Sequence, residues 1–165
     1  MRRILLCLLL SAAACSESPA DVAMDIDPAF AKGGMLGSVT GSGHITTNAK
    51  RTFTFTAHMK ADGSVGGQFN LVIHSDPQMR LHAEVVCMSM AGNRAWVGGV
   101  VKSASNPDWV GLETAWAVED NGQGNPSPDF ISLMNVPTAG LAQPNCDSQA
   151  RAPIYALEGG NVSVR

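Results

Sequence analysis

The feature of this chain that most restricts its fold is a strict alternation of apolar and polar side chains over residues 51–59. The apolar positions are Phe53, Phe55, Ala57 and Met59, and threonine or histidine stands between them. A period of two is typical of a β-strand with one buried face, because successive side chains point to opposite sides of a sheet. The pattern therefore predicts a half-buried strand and argues against an amphipathic helix.

Similar short runs recur along the chain, with turn-forming residues between them. Asp62-Gly63 and Gly92-Asn93 each separate two runs, and Asp-Gly is a strong hairpin signal. We predict eight strands, at 36–47, 51–59, 65–74, 79–90, 94–102, 109–118, 129–136 and 154–164. Strands joined mostly by short turns predict a single all-β antiparallel domain, either an up-and-down barrel or a closed sandwich.

The composition excludes several other classes of protein. The 165-residue chain contains 17 Gly and 9 Pro, and only 15% of its residues are charged, which argues against a long-helix or coiled-coil protein. The formal net charge is -3 and no basic run is present, so we predict no nucleic-acid partner. A chain of this length fits one domain.

The first fourteen residues have the organisation of a bacterial export signal. Arg2 and Arg3 precede an apolar run at residues 4–10, which is shorter than the roughly 20 residues needed to span a bilayer. Ala12 and Ala14 fit an ordinary signal-peptidase site, and cleavage there would release a soluble product. We therefore assign residues 1–14 to a signal peptide.

A second cleavage mode is open at the same place. Ala13-Ala14-Cys15 resembles the bacterial lipobox, with Ala12 where that motif usually has leucine. The resemblance implies that Cys15 carries a diacylglycerol and begins the mature chain, and Ser16 after it implies retention at the outer membrane. We expect residues 15–34 to form a flexible tether from this membrane anchor to a domain at 35–165.

Two further cysteines, Cys87 and Cys146, lie in the predicted domain. In an oxidising, exported compartment their natural state is a disulfide with each other. Such a bond would hold the long loop that contains Cys146 against the predicted strand that contains Cys87. The alternative is a pair of reduced thiols, one buried and one exposed.

Histidine is the residue type that first invites a metal hypothesis. The chain has four histidines, His44, His58, His74 and His82. Pairing through the predicted turns places His58 opposite Gly67 and His82 opposite Leu71, so no two histidines face each other. Because zinc needs three or four converging ligands, we predict no metal site at these residues and no cofactor.

An acidic loop offers a different kind of site. Asp120 and Asn121, with Asp129 at the end of the loop, concentrate the oxygen ligands that calcium prefers. The spacing does not match an EF-hand, and Asn and Asp are also common turn formers. These three residues are calcium candidates, with an ordinary turn-forming loop as the alternative.

The three tryptophans divide by their positions in the predicted strands. Trp116 is on the same face of its predicted strand as Thr114 and Val118 and is predicted to lie in the core. Trp96 is on the opposite face of its strand from its apolar neighbours, and Trp109 is at the start of a predicted strand. Either could line the rim of a binding site, because tryptophan combines apolar area with a polar N–H. Simple packing is the alternative.

The order of short segments resembles a group of uncharacterised bacterial secreted β-proteins. The matching segments are Gly41-Ser42-Gly43-His44-Ile45, Arg51-Thr52-Phe53-Thr54-Phe55, Gly67-Gln68-Phe69, Cys87, Asn93-Arg94-Ala95-Trp96-Val97-Gly98-Gly99 and Val118-Glu119-Asp120-Asn121-Gly122. The resemblance covers residues 37–164 and implies an all-β fold and a pairing of Cys87 with Cys146. It implies no activity.

These observations give three functional hypotheses. We expect an exported, lipid-anchored protein at the outer membrane or cell surface with a binding or structural role. The first alternative is a small-ligand or lipid carrier that uses the inside of the barrel. The second is a hydrolase-type enzyme, although the Gly-x-Ser-x-Gly, Ser-x-x-Lys and His-Glu-x-x-His motifs do not occur in the sequence. We therefore predict that the protein is not an enzyme.

Overall fold

The computed structural model describes residues 34–123 and 126–165. The predicted signal peptide, Cys15 and the predicted tether up to residue 33 lie outside the described residues. The strands are β1 (Met35–Thr46), β2 (Lys50–Lys60), β3 (Val65–Ile73), β4 (Met79–Ala91), β5 (Arg94–Ala104), β6 (Glu113–Glu119), β7 (Phe130–Ile131), β8 (Tyr155–Ala156) and β9 (Gly159–Val164). A 3-10 turn spans Pro107–Trp109, and helix α1 spans Ala142–Ser148.

All nine strands belong to one antiparallel sheet that curls into a half-barrel, which confirms the predicted all-β fold. The spatial order is β8-β7-β6-β5-β4-β3-β2-β1-β9, so neighbours along the chain pair from β1 to β8 and β9 returns beside β1. The predicted number of strands was one too low. The run at 154–164 breaks between Ala156 and Gly159 to give β8 and β9.

The predicted sixth strand also starts later than expected. Residues 107–109 form the 3-10 turn because Asn106 Oδ1 accepts a hydrogen bond from the Asp108 backbone N–H and Pro107 fixes the first helical position. Trp109 therefore belongs to this turn, and β6 begins at Glu113. The loop between β5 and β6 is consequently longer than the sequence pattern indicates.

The inner face of the sheet carries the main core. The buried residues of this core include Val39, Ile45, Phe53, Phe55, Phe69, Leu71, Leu81, Ala83, Val97, Val101, Trp116 and Val118. Trp116 is completely buried and stacks at 4.3 Å between ring centres on Phe69. The predicted alternation of β2 and the predicted core position of Trp116 are both confirmed.

The two hairpins that follow β2 and β3 have a register one residue away from the predicted one. Lys60 N–H donates to Ser64 O, and Gly63 adopts a positive φ of 81°, which gives a three-residue loop in place of a two-residue loop. His58 therefore pairs with Gly66, not Gly67. A longer loop after β3 likewise pairs His82 with Asn70, not Leu71.

A bulge in β4 explains the position of Cys87. The register with β5 shifts between Val85 and Cys87, so Val86 is the extra residue. Val85 and Met88 both belong to the inner core, whereas Cys87 belongs to a second cluster with Ala142 and Cys146. A regular alternation over the predicted strand at 79–90 would put Cys87 on the same face as Val85, and the bulge reverses this alternation.

The predicted disulfide is confirmed, and it attaches α1 to the outside of the sheet. Cys87 and Cys146 are bonded, with 6.2 Å between their Cα atoms. A Cβ at Gly98 would lie 2.6 Å from the Ala142 Cβ, so α1 approaches this closely only because Gly98 has no side chain. The sequence pattern predicted a loop over 137–153, and α1 is a short helix within that loop.

The free edge of β9 is closed by two carboxylates, not by a neighbouring strand. Asp129 Oδ2 accepts a hydrogen bond from Val162 N–H at 2.7 Å, and Asp120 Oδ2 accepts one from Val164 N–H at 2.9 Å. Both carboxylates lie on the segment that connects β6 with β7. They therefore join the two ends of the curled sheet.

A third carboxylate holds the other end of β9. Glu158 accepts hydrogen bonds from the Thr46 backbone N–H and the Thr46 hydroxyl, both at 2.8 Å. These bonds lower the pKa of the Glu158 carboxyl below its ordinary value, because they stabilise its charged form. The loop before β9 is thereby tied to the end of β1.

Candidate functional site

One end of the half-barrel contains an apolar cavity, which we call the end cavity. Its first wall is built by the register of β1 to β4. Ile45, Arg51, Ile73 and Met79 are paired across these strands and form a row at the rim. Phe53, Leu71 and Leu81 form the next row inward, and Phe69 follows below it. From Ile73 to Phe69 the wall is about 13 Å deep, at about 3.4 Å per residue.

The second wall comes from the other half of the molecule. Trp109 on the 3-10 turn, Trp116 on β6 and the segment 131–137 face the rows of β1 to β4. The volume of the cavity is about 160 Å³. An apolar cavity of about 150 Å³ is large enough to bind benzene. The end cavity therefore has room for a molecule with about one aromatic ring.

Burial along the walls shows where the cavity opens. The inner residues Phe69 and Trp116 are almost completely buried, whereas Ile73 and Met79 at the rim are half-buried. Val136 at the rim is 70% exposed. The mouth is therefore at the end of the half-barrel that carries the β1–β2, β3–β4 and β5–β6 loops.

The wall of the end cavity contains a polar atom with no partner. Trp116 lines the cavity, and its indole Nε1 is buried without a hydrogen-bond acceptor among residues 34–123 and 126–165. Most buried N–H groups are paired, so an unpaired one calls for an explanation. Its edge contact with Phe55, at 6.0 Å between ring centres, is an aromatic packing contact.

Two arginines stand at the mouth. Arg51 is on the same inner face of β2 as Phe53 and is half-buried. Arg80, at the start of β4, is exposed. Arg51 donates hydrogen bonds to the Thr47 hydroxyl, to Ala49 O at 3.3 Å and to Asn48 Oδ1 at 3.1 Å. All three acceptors are neutral, and they belong to the β1–β2 turn.

The two tryptophans predicted for a binding rim lie in different places. Trp109 lines the end cavity at its mouth. Trp96 lies on the outer face of β5, buried beneath the segment after α1, where its Nε1 donates to Arg151 O at 2.8 Å. Burial of Arg151 lowers the pKa of its guanidinium. Trp96 is thus a packing residue with a satisfied N–H, and it is not part of the end cavity.

His44, His58 and His82 lie on the outer face of their strands, and His74 directly follows β3. His82 Nδ1 is 2.9 Å from Asn70 Oδ1, and His44 Nε2 is 3.8 Å from Glu158. His74 Nε2 lies 3.0 Å from the Thr52 hydroxyl, but the other ring nitrogen faces the amide of Gln78, not a carboxylate. This exposed pair lacks the acid that orients the imidazole in a hydrolase triad.

The calcium candidates have structural partners. Asp129 Oδ1 accepts from Asn121 N–H at 2.8 Å, and Asp120 Oδ1 accepts from Gly122 N–H at 2.8 Å. With the two bonds to β9, all four carboxylate oxygens of Asp120 and Asp129 accept backbone N–H groups. Within the described ranges, no group of three or more His, Cys, Asp or Glu side chains is placed to hold a metal ion.

The cavity could not be found by a sequence motif, because its walls come from segments far apart in the chain. The one usable signal was the position of Trp109 at the start of a predicted strand. No helix within residues 34–123 and 126–165 is long and apolar enough to cross a membrane. A comparison of this chain with known protein families, curated proteins and solved structures finds no match.

Proposed function

We propose that this protein is an exported binding protein of the bacterial cell envelope that holds a small apolar molecule in its end cavity. The observation that carries the proposal is the cavity itself, an apolar space of about 160 Å³ with aromatic walls and an open mouth. Concave, mostly apolar sites with a few polar groups are the usual form of small-molecule sites.

The energetics of the cavity favour binding over a purely structural role. Side chains that line an apolar cavity lack packing partners on the cavity side, so contacts that they would make in a filled core are missing. A ligand of matching shape restores the lost contacts, and the free energy then appears as binding.

The size of the cavity restricts the ligand. Sites for drug-sized molecules have volumes of about 300 Å³ or more. The end cavity, at about 160 Å³, is smaller, so it would enclose a single ring or a short alkyl chain and not a whole lipid. We therefore favour a small-ligand role over a lipid-carrier role.

The position at which β1 begins is compatible with a binding protein that is anchored through its N-terminal segment. β1 begins beside the β2–β3 turn, where Gly34 O accepts from Ala61 N–H, and this is the end opposite the mouth. If Cys15 carries the predicted lipid, the domain is attached by the end away from the cavity. The disulfide is consistent with an extracellular or periplasmic location.

Titration with toluene, followed by methyl proton–carbon correlation NMR, tests the proposal. We expect saturable shifts with a Kd of about 1 mM or tighter, which corresponds to about 4 kcal/mol. The shifts should concentrate on the methyl groups of Leu71, Ile73 and Leu81, because these side chains line the cavity.

A filled cavity provides the matched control. Leu71→Trp places extra volume in the cavity and should abolish toluene binding, whereas Val86→Trp adds the same side chain on the outer surface and should leave it unchanged. Linear, non-saturating shifts in the wild-type protein would refute the proposal. Equal binding by wild-type protein and a folded Leu71→Trp variant would place the site elsewhere.

A further inference from the structure

The mouth of the end cavity has a chemical character different from its interior. Arg51 belongs to the rim row, between Ile45 and Ile73 in the paired strands. Its parity directs it to the inner side of the sheet, and it is half-buried. A cation therefore stands where an apolar interior meets the solvent.

The guanidinium of Arg51 is held in place by neutral groups. Its hydrogen bonds go to the side chains of Thr47 and Asn48 and to the carbonyl of Ala49, all in the turn beside it. A cation fixed in this way loses little side-chain freedom when it binds an anion. The turn thus pre-orders the arginine without neutralising it.

Within the part of the chain that the structure describes, no carboxylate reaches either arginine of the mouth. The ion pairs found in the described part of the chain are His44–Glu158, Arg94–Glu119 and Lys102–Glu84. Arg80 donates to Gln78 Oε1 at 2.8 Å, which is again a neutral partner. Asp76 and Asp108 lie in the loops of the same end, but neither comes within 4.0 Å of Arg51 or Arg80.

We propose that the ligand of the end cavity is a small aryl or short alkyl monocarboxylate whose carboxylate binds Arg51 and whose apolar body enters between Leu71 and Trp116. The inference rests on the function proposed above and specifies its ligand class. Arginine pairs with carboxylates through two parallel hydrogen bonds, and a site at the mouth leaves the anion partly hydrated. The charge of Arg51 thus recognises the carboxylate end of the ligand, and the shape of the cavity recognises its apolar end.

Benzoate and benzamide form a matched pair of probes for this inference. They have the same ring and nearly the same shape, but only benzoate is charged at pH 7. We expect benzoate to bind wild-type protein about tenfold more tightly than benzamide, since hydrogen bonds between charged groups are markedly stronger than neutral ones. The preference should decrease as salt is added, because the mouth is open to solvent.

Variants of the mouth separate the role of Arg51 from the role of the cavity. Arg51→Gln should remove the preference for benzoate while benzamide affinity stays within about twofold, and Arg51→Lys should keep part of the preference. Arg94→Gln is the control, because Arg94 lies at the opposite end of the half-barrel and pairs with Glu119. It should leave both affinities unchanged.

The outcomes distinguish this inference from the proposed function. If toluene binds but wild-type protein binds benzoate and benzamide equally, the carboxylate inference is wrong and the apolar site stands. If the preference survives in a folded Arg51→Gln variant, Arg51 is not the anion-binding residue and the inference fails. If none of the three probes binds, the proposed function itself is wrong.

Discussion

Asp129→Ala is expected to lower the free energy of unfolding by about 3 kcal/mol, because a hydrogen bond to a charged acceptor contributes about 1.5 kcal/mol or more and this carboxylate accepts two. One of these bonds, from the Val162 N–H, closes the seam between β9 and the other end of the sheet. The second, from the Asn121 N–H, fixes the loop that carries Asp120. The substitution therefore leaves a buried N–H unpaired and loosens the closure of the half-barrel.

Urea unfolding and amide hydrogen exchange measure this effect. The exchange of the Val162 amide should become much faster in Asp129→Ala, and Asp129→Asn should have an intermediate effect because its side-chain oxygen still accepts one bond. Asp108→Ala is the control, since Asp108 is exposed and should change stability by less than about 0.5 kcal/mol. A loss below about 1 kcal/mol in Asp129→Ala would contradict the role of this carboxylate in closure.

Replacing both Cys87 and Cys146 by alanine is expected to lower stability by about 4 kcal/mol, the size of effect predicted for a loop of about 60 residues. The bond joins residues separated by 59 positions, so its loss restores much freedom to the unfolded chain. It also removes the attachment of α1 to β4. Because both sulfur atoms are buried beside Ala142, the double variant loses packing in this cluster as well.

The double alanine variant should also lose protection specifically at α1. Amide exchange over Ala142–Ser148 should approach that of an open loop, whereas exchange of Phe55 and Phe69 in the main core should accelerate only as far as the loss of global stability requires. A stability loss below about 1 kcal/mol would show that the helix and its hydrogen bonds hold the loop without the disulfide. Chemical reduction of the wild-type protein provides an independent comparison, because it breaks the bond and keeps both side chains.

Local sequence patterns correctly predicted those features that depend only on which side chains of a single strand face the core. The alternation of β2 depends only on which side chains it turns inward, and it is unambiguous in the sequence. The pairing of Cys87 with Cys146 followed from the number of cysteines and from the predicted export of the chain. Trp116 was predicted in the core because Thr114 and Val118 lie on the same face of the predicted strand.

The parts that failed depend on single-residue insertions. The Asp62-Gly63 turn is compatible with both a two-residue and a three-residue loop, and the choice shifts the register by one. The extra residue Val86 has the same effect on β4, because it reverses which side chains face inward. Nothing in the local sequence marks either choice, since each is decided by packing against the next strand.

The end cavity and the closure of the sheet could not be predicted for a related reason. The cavity is the space between the side-chain rows of β1 to β4 and a second wall formed by Trp109 and the segment 131–137. This second wall lies much later in the sequence than the first. Asp120 and Asp129 are calcium candidates by composition. Composition alone does not predict that their carboxylate oxygens accept backbone N–H groups of β9, because this contact depends on where β9 lies.

The location of bound benzoate in the wild-type protein tests most directly whether the end cavity binds a small apolar carboxylate. Intermolecular nuclear Overhauser effects between the ring protons of benzoate and carbon-13-labelled methyl groups give this location. We predict contacts with the methyl groups of Leu71, Ile73 and Leu81 and none with Val162 or Val164. Contacts confined to other methyl groups, or no contacts at saturating benzoate, would contradict the claim.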